Sequence, residues 1–113
     1  MTEKLFKNAL LIQIFSVIIG VIGMVVDGAV WLEPYGMVYP DFTFLSERTR
    51  RIVYWEHEGM MDNADYAKAA VRKIELYEKN GIFPGEDLIL TFETSTSGIN
   101  MELVKKQVQR YLV

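Results

Sequence analysis

The chain opens on its most apolar stretch. Residues 9–26 carry no charged side chain, and the apolar pattern extends as a helix from Leu5 to Leu32. At about 1.5 Å per residue, such a helix crosses the roughly 30 Å hydrocarbon core of a bilayer. The run is longer than the apolar part of a signal peptide, and Val25-Val26-Asp27 is a poor cleavage site. The pattern therefore predicts a retained transmembrane helix over residues 5–32.

The pattern changes at Pro34 and Pro40, which favour extended backbone before them and stop the helix. Ser46 is placed to cap a helix running to about Glu58, with Gly59 ending it and Ile52, Val53 and Trp55 on its apolar side. The next helix has the clearest signals. Asp62 or Asn63 caps it, Asp65 lies in its first turn, and Asn80-Gly81 stops it. Ala67, Ala70, Val71, Ile74 and Tyr77 recur at helical spacing as its buried stripe. Pro84-Gly85 is a turn. Leu88 to Thr94 alternates as a strand does, with Leu88, Leu90 and Phe92 on one face and Ile89, Thr91 and Glu93 on the other. The last segment fits a helix capped by Asn100 with Met101, Val104, Val108, Tyr111 and Leu112 inward. The alternation of Ile99, Met101 and Leu103 also fits a returning strand.

The expected fold class is α+β and mainly helical. A single N-terminal transmembrane helix is followed by a small helix-helix-strand-helix domain over residues 36–113. One strand cannot satisfy its own ladder groups. Its partner is sought in residues 37–44, in the segment after Gly98, or in another chain.

Composition narrows the function classes. There is no cysteine, which excludes disulfides, thiolate chemistry and cysteine-ligated zinc. Residues 36–113 hold ten basic against twelve acidic side chains, so nucleic acid is not an expected partner. Lys4 and Lys7 flank the start of the apolar run, and Glu33 and Asp41 follow its end. That bias places the N-terminus in the cytoplasm and the domain on the other side of the membrane. Ser16 and Gly20 form a small-xxx-small pair, with Gly23 close to the same face and Gln13 polar at membrane depth. These four residues are the expected helix-packing interface, with other membrane subunits and the lipid bilayer as partners. Asp27 lies near the outer boundary.

Candidate chemistry is sparse. Glu56, His57, Glu58 and Asp62 supply the groups of a metal site or an acid–base pair. On a helix adjacent residues point apart, so Glu56, His57 and Glu58 cannot all converge without the turn at Gly59, and the run reads first as a solvated helix end. His57 is the only histidine, so this chain alone builds no multi-histidine metal site. Arg48, Arg50 and Arg51 suit an acidic partner or a lipid headgroup, diluted by Glu47, Glu56 and Glu58. Ser95-Thr96-Ser97-Gly98 lacks the lysine and glycine spacing of a phosphate loop. No catalytic residue, cofactor or metal is expected.

The order of elements carries one resemblance. A single N-terminal span leads to a segment ending in Glu58-Gly59. A helix then leads into Leu76-Tyr77-Glu78-Lys79-Asn80-Gly81-Ile82-Phe83-Pro84, followed by Leu88-Ile89-Leu90-Thr91-Phe92. This layout, over roughly residues 10–99, resembles TadE-like pseudopilins, the minor membrane-anchored components of tight-adherence pili and secretion filaments. The resemblance implies a non-enzymatic filament component. The residues themselves suggest a non-catalytic, stabilising subunit of a larger membrane assembly. An accessory subunit of a multisubunit redox or transport enzyme fits the same features, and a stand-alone enzyme built on the His57 cluster is the third class.

Overall fold

The computed structural model describes residues 29–46 and 48–112. In chain order the elements are β1 (Val30–Leu32), β2 (Gly36–Val38), β3 (Phe42–Leu45), β4 (Ile52–Glu58), α1 (Ala64–Lys79), β5 (Leu88–Phe92) and α2 (Met101–Tyr111). β1 and β2 form an antiparallel two-stranded ribbon. β3, β4 and β5 form a three-stranded sheet in that order, antiparallel between β3 and β4 and parallel between β4 and β5. The parallel pair is joined through α1, as a parallel pair must be joined by a crossover.

The expected mainly helical fold is corrected: the described residues hold five strands and two helices. The main cause is residues 46–58. Ser46 Oγ does accept from Thr49 N at 3.2 Å, as a helix cap would. The chain then reverses, because Arg50 takes a left-handed φ of 60° and Ser46 N donates to the Arg51 carbonyl. The turn returns as β4, whose Ile-Val-Tyr-Trp start is rich in residues that suit a pleated, buried surface. β4 is also the partner that the lone predicted strand required.

The membrane assignment is corrected too. No helix among the described residues is long and apolar enough to cross a membrane. Val30–Leu32, taken as the end of the span, is a strand, and Leu32 is buried against the Tyr77 and Leu88 side chains. Its hydrophobicity therefore serves this core. The single-pass description and the cytoplasmic-to-outside orientation rested on a span ending there and are withdrawn. Gln13, Ser16, Gly20, Gly23 and Asp27, with the run over residues 9–26, lie outside the described residues.

The sheet is covered on both faces. On one, Phe44, Val53, Trp55 and Ile89 pack against Val104, Val108 and Leu112 of α2. On the other, Leu88 packs against Tyr77 of α1 and Leu32 and Val38 of the ribbon. α1 is capped by Asn63, whose side chain accepts from Tyr66 N, and Asn80 follows it. Its inward stripe is rotated from the expected one. Ala70 and Tyr77 are buried and Lys73 sits between them, while Val71 is half exposed. Asn100 caps α2 by accepting from Glu102 N and Leu103 N.

Candidate functional site

β4 places Glu56, His57 and Glu58 in succession at the centre of the sheet, and all three are buried. Because a strand alternates its side chains, His57 points to the α2 face and the two glutamates to the α1 face. The expected cluster of Glu56, His57, Glu58 and Asp62 is therefore split. Asp62 lies on an exposed turn, where its Oδ2 accepts from Ser95 N at 3.1 Å and from the Ser95 hydroxyl. Those bonds hold its carboxyl below the usual aspartate range. Among the described residues no group of three His, Asp or Glu side chains is placed to hold a metal ion.

On the α2 face, Trp55 Nε1 donates to Thr91 Oγ1 at 3.1 Å. His57 Nδ1 lies 2.7 Å from the same oxygen, and His57 Nε2 lies 2.6 Å from Glu93 Oε1. With the indole donating to Thr91, the hydroxyl proton is available for Nδ1, and Nε2–H then donates to Glu93. Every donor has an acceptor in this direction. Hydroxyl, imidazole and carboxylate in line is the layout of an activated nucleophile. Access decides against it. His57 is 0% exposed, Thr91 9% and Glu93 8%, and neither groove described below is lined by any of them. The arrangement is a satisfied polar network inside the core, which specifies one packing of β4 against β5.

On the α1 face, the Lys73 ammonium pairs with Glu56 Oε2, and Asp41 N donates to Glu56 Oε1 at 3.0 Å. Asp41 Oδ2 in turn accepts from His57 N at 2.8 Å, so Asp41, just before β3, bonds both the Glu56 side chain and the main chain of β4. One ammonium faces three carboxylates. Burial pushes the Glu56 carboxyl above its ordinary value, although Lys73 pulls it down. Burial alone would lower Lys73, but Glu56, Glu58 and Asp41 together hold it above its ordinary value. Burial, then Glu56 and Asp41, push the Tyr77 phenol far up. Among the described residues, Glu58 Oε1 and the Tyr77 hydroxyl are buried with no hydrogen-bond partner.

Two surface grooves flank this core. The first, about 410 Å³, lies among Arg48, Arg51, Asp87, Arg110 and Tyr111. Its cations are largely committed. Arg51 pairs with Asp87 at 2.6 Å, Arg48 donates to the Arg110 carbonyl, and the Arg110 guanidinium lies 5.3 Å from the centre of the Tyr111 ring.

The second, about 650 Å³, runs between the ribbon and α1. Ala69, Arg72, Lys73 and Leu76 form its helical wall, at the i, i+3, i+4, i+7 spacing of one helix stripe. Tyr35, Met37, Val38 and Tyr39 form the other wall. Trp31 and Met37 are cross-strand partners and share the ribbon's outward face. Trp31 is 58% exposed, Tyr35 74%, Met37 46% and Tyr39 75%. This face is hidden in the sequence because the apolar run before it reads as a membrane span ending at Leu32. Trp31, Tyr35 and Tyr39 recur every four residues, a helical spacing, so their positions in the sequence give no signal of a ribbon face. No family model, curated protein or solved structure matches the chain.

Proposed function

We propose that this chain is a non-catalytic component of a larger protein assembly, joined to it through the outward face of the β1–β2 ribbon. One observation carries the reading. Four large side chains, Trp31, Tyr35, Met37 and Tyr39, are all at least 46% exposed within one short ribbon. Single exposed apolar residues need no explanation, but a contiguous patch does. Trp, Tyr and Met are the residue types enriched where proteins meet, because they bring large contact area at low conformational cost. Burial of the His57 network counts against the third class, an enzyme acting through that histidine.

The test is affinity purification of the full chain from its native cells beside a Trp31→Ser/Tyr39→Asp double variant. Both side chains are exposed, so the variant keeps its fold. The reading expects partners recovered in fixed stoichiometry with the native chain and lost with the variant. Equal recovery with both, or none with either, contradicts it.

A further inference from the structure

The groove beside that face has the features of a recognition site for one chemical class. Met37, Val38 and Tyr39 line it in succession. A groove across one face of a strand would be lined by alternate residues, so this one follows the edge of β2. Among the described residues β2 pairs only with β1, which leaves its other edge facing the groove. The helical wall from Ala69 to Leu76 is roughly 10 Å long at 1.5 Å per residue. An extended chain covers that length with about three residues. The lining is apolar apart from Arg72, Lys73 and the tyrosine hydroxyls, and contains no acid. Lys73 is turned toward Glu56, whereas Arg72 is exposed and has no ion pair among the described residues.

We propose that this groove takes an extended acidic–apolar segment of a partner protein, laid along the open edge of β2. The segment's apolar side chains sit against Leu76, Ala69 and Tyr39, and its carboxylate meets Arg72. Main-chain pairing to a strand edge supplies affinity, and the flanking walls supply the choice of side chains. Charge decides between occupants. A second copy of this chain docked edge to edge would bring two Arg72 guanidiniums together around a two-fold axis, with no acid in the groove lining to meet them. An acidic segment removes that repulsion and pairs with the Arg72 guanidinium. This inference rests on the assembly reading above and adds the class of partner.

The experiment selects short random peptides displayed on phage against the full chain, then measures the selected peptides by fluorescence anisotropy. The variants are Arg72→Glu, Arg72→Gln and Tyr39→Asp, with Lys106→Glu as a distant control. All three positions are exposed, and unchanged melting temperatures confirm the fold. The expected peptides alternate Asp or Glu with apolar residues. Arg72→Glu weakens them by about tenfold or more, Arg72→Gln by less, and added salt weakens them further. Lys106→Glu leaves them unchanged. Basic or uncharged peptides that are lost with Tyr39→Asp but indifferent to Arg72→Glu overturn the acidic class and leave the assembly reading standing. Peptides indifferent to both positions, or no selection at all, overturn both.

Discussion

Lys73→Met leaves the Glu56 carboxylate without its ammonium while Glu56 stays 1% exposed. Removing one partner of a buried ion pair costs about 3–5 kcal/mol, because the remaining charge is neither hydrated nor paired. The Lys73 side chain is 33% exposed, so water enters the pair, and the expected loss falls to about 2–3 kcal/mol. Methionine keeps most of the aliphatic stem, so the loss reads the charge and not the packing. Glu56→Gln in the same chain keeps an acceptor for Asp41 N and removes the charge, and it is expected to recover most of the stability. The pH dependence follows from the direction of the Glu56 shift. Its folded value lies above the ordinary 4.5, so the folded state holds a proton that the unfolded chain has released. Glu56 therefore lowers stability as pH rises through that window, and losing Lys73 widens the window upward. Urea unfolding at about pH 7 and about pH 5 should show the Lys73→Met penalty shrinking at the lower pH. A penalty below about 0.5 kcal/mol at both values, or one not relieved by Glu56→Gln, refutes the buried-pair account.

Thr91→Val removes the shared oxygen of Trp55 and His57 while keeping a β-branched shape, and urea unfolding should show a loss of about 2–3 kcal/mol. Tyr77→Phe deletes a buried hydroxyl that has no partner among the described residues, so stability should stay level or rise by about 1 kcal/mol, and a clear loss would contradict it. Gly36 has φ +116° with its nearest neighbour, the Trp31 ring, 4.0 Å from an added Cβ. Gly36→Ala should therefore cost about 1–2 kcal/mol through backbone strain alone, read as a lower melting temperature. Lys73 itself sits above its ordinary 10.5, so its contribution is present below that pH and disappears as pH rises through the folded value, visible as alkaline loss in a melting series.

α1 was the most legible part of the chain, whereas the segment of α2 fitted a helix and a returning strand alike. α1 and α2 carry local stop and cap signals, Asn63, Asn80 and Asn100, whose effect needs no distant partner. β5 was legible in its alternation but not in its polarity. Ile89, Thr91 and Glu93 form the more polar of its two faces, yet all three are buried, because the partners of the two polar ones come from β4. β4 was misread because a strand covered on both faces has no polar side to reveal its period. Its Glu-His-Glu end resembles surface in sequence, and only Lys73, Asp41, Thr91 and Glu93, distant along the chain, make its burial tolerable. The exposed ribbon face was hidden for a different reason. Aromatic residues directly after an apolar run suit a membrane boundary as well as a protein surface, and the pairing of Trp31 with Met37 separates the two.

The central claim is that the ribbon face is occupied by a partner protein. A photo-crosslinking amino acid placed at Tyr39, with a second placement at Lys106 on the exposed side of α2, tests it in the native cells. The account predicts discrete adducts from position 39 and none from position 106. Adducts absent at position 39, or equal at both positions, would contradict it.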